Sequence, residues 1–395
     1  MSKIEQLIKK LCPKGVEWRP LGEVCKRHHG TAITAGKMAA LNKEGAPIRV
    51  FAAGNTIADV NEGDIPEKDV IREPGIVVKA RGYIGFAYCE RPFSHKGELW
   101  SYTAKGLPVN LKYLYYYLLT QAKQLHILAR SKSVKLPQLS TGDTDNLFVP
   151  LPPRPVQDEI VKALDAMDAV VKSLEEERAA RQEQFEALRE RMINFDESVE
   201  RRQLAEVFDL RNGYTPSKAN SSFWDGGTIP WFRMEDIREN GRILSDAILH
   251  VTDRSIKGEL FSADSLIVST SATIGEHAWI TVPALANQRF TNLTISTEYK
   301  SRLLMPFVFY LGFAIDDYCR KNTCKGNFAS VDMGKFKQFP IPLPSLSVQK
   351  KIAAQLDAFA AVVAALDEEI AARREQFAGW LEKLMKFDAR EVAVA

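Results

Sequence analysis

The chain has 395 residues with 53 Lys and Arg against 50 Asp and Glu, 45% hydrophobic residues and five cysteines. That length suits two ordinary domains with connecting elements. The odd cysteine count, without a C-x-x-C pair, supports neither a disulfide framework nor a structural zinc site, so the thiols read as reduced and structural. The longest apolar run, LLMPFVFYLGFAI at 303–315, is interrupted by Pro306 and Gly312 and falls short of a spanning helix. The opening MSKIEQLIKKLCPKG has no apolar h-region, so the expected location is cytoplasmic, with no membrane contact.

Charge is unevenly placed. Residues 1–150 hold 22 Lys and Arg against 14 Asp and Glu, and residues 151–199 hold 7 against 12. A basic excess on a globular segment is compatible with a polyanionic partner but does not by itself require one.

In chain order, residues 1–149 read as a first domain of short β-branched runs bounded by Gly, Pro, Asn and Asp, for example Ile76-Val77-Val78, closed by a helical stretch LKYLYYYLLTQAKQL at 111–125. Residues 150–199 follow as a proline linker and a long helix. A second domain at 200–340 has the same grammar, with Leu266-Ile267-Val268 and a closing helix at 305–319; residues 341–390 are a second linker and helix. The fold class is α+β.

The phrase PLPPRPVQDEI at 150–160 returns as PLPSLSVQKKI at 342–352, and residues 149–195 match 341–387 at 23 of 47 positions without a gap. This is an internal duplication. Upstream, LGEV at 21–24 pairs with LAEV at 204–207, and IVVKARGYIG at 76–85 with LIVSTSATIG at 266–275. After each proline segment, which is expected to stay extended so that helix begins only beyond it, apolar residues recur at steps of 4 and 3 from Ile160 to Phe195 and from Ile352 to Phe387. Heptads of this length predict two coiled-coil helices of about 36 residues, roughly 54 Å each. Pairing between them is the economical way to bury both stripes. Arg181 and Arg373 hold equivalent seam positions, which is costly unless each guanidinium reaches carboxylates such as those at 175–177 and 367–369; a snorkelling Arg at the seam edge and a register-fixing role are the two readings.

Chemistry-bearing motifs are scarce. GTAITAGKM at 30–38 has one residue too many for a phosphate loop and Met38 in place of Ser or Thr. No glycine-rich cofactor loop, G-x-S-x-G elbow or Asn/Asp-Pro-Pro-aromatic string occurs, and His28-His29 lacks partners at ligand spacing. No catalytic residue, metal or cofactor is expected.

Taken together, LCPKGVEWRPLGEV at 11–24, RNGYTPSK at 211–218, IPWFRMEDI at 229–237, LIVSTSATIG and both proline-to-helix junctions resemble the specificity subunit of type I restriction-modification systems, along the whole chain. The first domain departs from that pattern at GTAIT (30–34) and at RVFAAGN (49–55). The resemblance implies a non-catalytic subunit with two target recognition domains separated by two long antiparallel coiled-coil helices, a pseudo-twofold repeat. Each domain would read one half of a bipartite double-stranded DNA site. Two methyltransferase subunits would dock near the helices, with restriction (motor and nuclease) subunits joining through the methyltransferase. A rod between two readers would set a fixed unread gap.

Candidate DNA contacts fall in two places per domain. One is the basic loop before each proline segment, with Arg130, Lys132 and Lys135 in the first domain and Arg320, Lys321 and Lys325 in the second. The other is the loop after the central strand, with Lys79, Arg81 and Tyr83, and with Ser269, Thr270, Ser271 and Thr273. The competing readings are a coiled-coil adaptor that binds other proteins, and an enzyme whose site has no recognised motif.

Overall fold

The structure is a computed structural model that describes residues 3–106, 108–132, 135–324 and 329–389. Its longest elements are the helices α1 (Leu111–Lys132), α2 (Arg154–Ile193), α3 (Met305–Lys321) and α4 (Leu346–Leu384). The chain divides into two compact units, residues 1–175 with 368–395, and residues 176–367. Among the described residues no helix is long and apolar enough to cross a membrane.

In the first unit, strands β1 (Cys25–His29), β2 (Gly75–Lys79), β3 (Gly85–Cys89) and β4 (Trp100–Ala104) form an antiparallel sheet in the order β1-β4-β2-β3. The central strand β2 is buried on both faces. Ile76 and Val78 pack with Leu114 and Leu118 of α1 and with Ile160 and Leu164 of α2. Val77, on the opposite face, packs with Phe51 and Phe93 of a smaller sheet. Alternation along an extended chain delivers both sets of contacts.

The second unit repeats this plan with β5 (Phe208–Asn212), β6 (Ser265–Ser269), β7 (His277–Ile280) and β8 (Phe290–Ile295) in the order β5-β8-β6-β7, extended by a short parallel strand Ile243–Leu244. Leu266 and Val268 face α3 and α4. Ile267 faces Phe232 and Ala278 on the other side.

The RVFAAGN stretch, which departs from the family pattern in sequence, still enters a strand like the one that holds Trp231. Ile48–Phe51 lies between an antiparallel partner, Ile57–Val60, and a parallel one, Phe93–His95. Ile229–Phe232 likewise pairs antiparallel with His250–Val251 and parallel with Leu285–Ala286. Ile48 and Val50 are buried, so the pattern of core positions survives although the motif does not.

The repeated proline phrase opens as a strand in both copies. Phe148–Leu151 pairs with Glu17–Pro20, and Pro340–Pro342 with Arg201–Gln203. The expectation that helix begins only past the prolines holds in the second copy, where α4 starts at Leu346 beyond Pro344, and fails in the first, where α2 starts at Arg154 and contains Pro155. Proline in the first turn sacrifices only an N–H that has no intrahelical acceptor there.

Within each unit the long helices run antiparallel. In the first, Glu175 pairs with Arg374, at 2.5 Å, and Leu164 shares a core with Leu381 and Leu384. In the second, Arg178 makes a two-pronged bond to Asp367 at 3.0 and 3.2 Å, and the Phe185 ring stacks on Phe359 with centroids 5.9 Å apart. Arg181 reaches Glu177 and Gln184, and Arg373 reaches Glu369 and Gln376, each lying along its own helix with the charged head in water.

The Gln of the repeated phrase has the same task twice. Gln157, buried, accepts the Asn110 N–H at the start of α1 (2.8 Å) and donates to Pro152 O (2.7 Å). Gln349, also buried, accepts the Leu304 N–H at the start of α3 (2.9 Å) and donates to Pro344 O and Arg302 O (both 2.8 Å). One side chain thus fixes the start of the closing helix to the start of the long helix. A second duplicated brace lies one turn or two further on: Tyr116 donates to Asp165 at 2.5 Å and Tyr310 to Asp357 at 2.6 Å.

Candidate nucleic-acid interface

The two candidate segments of each domain, far apart in sequence, meet. In the first domain the β2–β3 loop lies beside the segment that follows α1. Leu139 N–H donates to Ala80 O and Gly82 N–H to Pro137 O, both at 2.9 Å, which sets Arg81 opposite Gln138 in an antiparallel bridge. In the second domain Val331 N–H donates to Thr270 O at 2.8 Å and Ala272 N–H to Ala329 O at 3.1 Å, which sets Ser271 opposite Ser330. The pattern is the same, down to the turn residue. Gly82 has φ +75° and its equivalent Ala272 has φ +64°.

The candidate side chains divide by what they already hold. Lys79 is half-buried at the end of β2, its amine pushed below its ordinary pKa by burial, and it donates to Asn55 Oδ1 at 3.4 Å. Arg81 and Tyr83 are exposed, Tyr83 at 67%. Thr273 is half-buried in the matching loop. Ser269 and Thr270 are buried: Thr270 Oγ1 bonds Thr291 Oγ1 at 3.0 Å, and Ser269 Oγ donates to Ser271 O at 3.5 Å.

The basic stretches expected as loops are partly helix. Arg130 and Lys132 sit in the last turn of α1, and Arg320 and Lys321 in the last turn of α3, where cations oppose the negative end of the helix dipole. Lys132 is paired with Asp143. Arg320 donates to Gly275 O and to Asp317, so it braces the β6–β7 loop from behind. Lys135 and Lys321 are exposed, and Lys325 lies outside the described residues. Sequence reasoning missed Gln138 and Ser330, whose placement depends on tertiary register. It also missed Arg289, exposed, whose carbonyl accepts the Thr270 N–H at 2.9 Å.

Among the described residues no cluster of His, Cys, Asp and Glu has the arrangement of a metal site. His28 Nε2 instead bonds Thr103 Oγ1 at 2.8 Å. What both loop faces offer is hydrogen-bond donors and acceptors on rigid backbone, suited to recognising an edge or a phosphate.

Residues 13–183 and again 196–373 match the family model of the type I restriction modification DNA specificity domain. The chain belongs to that family. Over 206 residues it is 48% identical to the Type I restriction enzyme EcoprrI specificity subunit of Escherichia coli, a match that spans 49% of this chain and 51% of that relative, about half of each. It is 28% identical over 417 residues to the Type I restriction enzyme EcoR124I/EcoR124II specificity subunit of Escherichia coli, with 99% of both chains covered. The fold resembles the crystal structure of a type I restriction-modification S subunit from M. genitalium, at TM-score 0.54 and 14% identity, covering 94% of this chain and 96% of the other. A chain from a structure on complex assembly and conformational transition of the type I R-M system gives TM-score 0.58 at 17% identity, with 95% and 98% covered. Each match spans one set of sheets and most of the long helix that follows it.

Proposed function

We propose that this chain is the sequence-specific DNA-recognition subunit of a type I restriction-modification complex. Each recognition domain reads one half of a bipartite double-stranded site. The subunit directs two methyltransferase subunits there and, through them, the restriction subunits. The chain itself carries out no chemistry, and it works in the cytoplasm. The observation that carries this reading is the duplicated loop face: two family-matched modules present the same bridged pair of segments with different outward side chains, which is what two readers of two sequences need.

The test is to mix the chain with its partner methyltransferase and map methylated adenines. One asymmetric, interrupted sequence is expected, with no methyl transfer by the isolated chain. Replacing residues 20–148 with those of a family member should change one half of that sequence and leave the other intact. DNA binding should weaken linearly in log salt, since phosphate contacts release counterions. A salt-insensitive association with another protein would favour the adaptor reading instead.

A further inference from the structure

The hydrogen bonds on either side of each bridge decide which side chains look outward. In an antiparallel ladder, two opposed residues that do not bond each other carry their side chains on the same face, with Cα atoms about 4.5 Å apart, while their neighbours along each strand point the other way. Arg81 and Gln138 form such a pair, since the bonds run between residues 80 and 139 and between 82 and 137. Ala80 and Leu139 are 1% and 3% exposed, and Arg81 and Gln138 are both exposed. Ser271 and Ser330 form the equivalent pair: the neighbouring Thr270 and Val331 are 8% and 4% exposed, and the two serines are half-buried.

These pairs are also uncommitted. Among the described residues the Arg81 guanidinium, the Gln138 amide and the hydroxyls of Ser271 and Ser330 hold no side-chain hydrogen bond or ion pair. The nearby cations are different, because Lys132 and Arg320 are occupied by Asp143 and by Asp317 with Gly275 O. The backbone that carries the free groups is held at two bonds per bridge by main-chain atoms alone, so the side chains are presented on a fixed frame without serving it.

Building on the proposed function, we infer that Arg81 with Gln138, and Ser271 with Ser330, are the specificity-determining pairs of the two domains, and that the first domain reads a G·C pair through Arg81. A guanidinium offers two parallel N–H donors that match guanine O6 and N7 in the major groove, and a primary amide matches adenine N6 and N7. A hydroxyl donates or accepts and so discriminates less at each position. The two domains read by unlike chemistry from one backbone geometry.

The experiment uses the chain in complex with its methyltransferase, with mapped methylated adenines and affinities for duplexes carrying single base-pair changes. Arg81→Ala should lower discrimination about tenfold or more at one G·C pair of one half-site and leave the other half-site unchanged. Arg81→Gln should move the preference at that position toward A·T. Ser271→Ala with Ser330→Ala should relax the opposite half-site. Three results overturn the inference: discrimination within about twofold of the unmodified complex in Arg81→Ala; retained G·C preference in Arg81→Gln; or a uniform loss across all duplexes with a shallower salt dependence, which marks a phosphate contact. An unmodified complex that marks no defined sequence defeats the proposed function itself, and this inference with it.

Discussion

Gln157 Oε1 accepts the backbone N–H of Asn110 at 2.8 Å, and the Asn110 side chain in turn accepts the N–H groups of Lys112 and Tyr113. The residue that caps α1 is itself capped by the long helix. Gln157→Leu leaves the Asn110 N–H and the Pro152 carbonyl without partners in a buried place, so unfolding free energy should fall by about 2–4 kcal/mol. Gln349→Leu should cost at least as much, because Gln349 serves three main-chain groups. Urea unfolding midpoints at constant slope measure both. A loss under about 0.5 kcal/mol in either variant would show that water replaces the clamp.

The two tyrosine braces differ in redundancy. Asp165 also holds Lys112 at 2.9 Å, whereas Asp357 has Tyr310 as its one side-chain partner among the described residues. Tyr310→Phe should therefore destabilise by about 1–2 kcal/mol and Tyr116→Phe by less than about 1. Thermal unfolding of the two variants side by side checks the order.

Burial pushes the His95 imidazole from 6.5 down to about 4; its ring bonds Ser101 Oγ at 3.1 Å and Lys96 O at 3.2 Å. The folded state therefore refuses a proton that the unfolded chain accepts. Stability from this group is complete above about pH 6.5 and declines as pH falls toward 4, by up to about 3 kcal/mol. The stability-against-pH slope between pH 6.5 and 4 should flatten in His95→Asn relative to the unmodified chain, measured by denaturant titration at each pH.

Gly82 and Ala272 occupy the same left-handed turn, and the space beside Gly82 is open. Strain from a Cβ is then the deciding term. Ala272→Gly should be neutral to stabilising by up to about 1 kcal/mol, since relief of the left-handed cost opposes the added chain entropy. Gly82→Ala should destabilise by about 1 kcal/mol. The expected result is a lowered unfolding midpoint in Gly82→Ala and an unchanged or raised one in Ala272→Gly.

The long helices were legible because their apolar steps persist from Ile160 to Phe195 and from Ile352 to Phe387, and buried Leu164 and Leu356 sit on those stripes. The start of α2 was not, since Pro155 reads as a helix breaker unless its first-turn position is known, whereas α4 begins past Pro344 as the prolines suggest. The extent of α1 to Lys132 was missed because residues 126–132 continue the helix without a sustained apolar stripe; its turns are held by main-chain bonds rather than by core contacts at each step. Of the candidate interface, the β2–β3 and β6–β7 loops could be found by aligning IVVKARGYIG with LIVSTSATIG. Gln138 and Ser330 could not, because they earn their place by lying across a bridge, and no local pattern encodes that register.

The bridges at 80–82 with 137–139 and at 270–272 with 329–331 are closed by main-chain groups. Residues 81, 138, 271 and 330 can therefore be exchanged with little effect on folding. Selection for stability then places little constraint on which side chains stand at these four positions. On the inferred assignment of these pairs, a subunit with a new target would need no unstable intermediate, because the exchanged side chain serves no part of the frame that carries it.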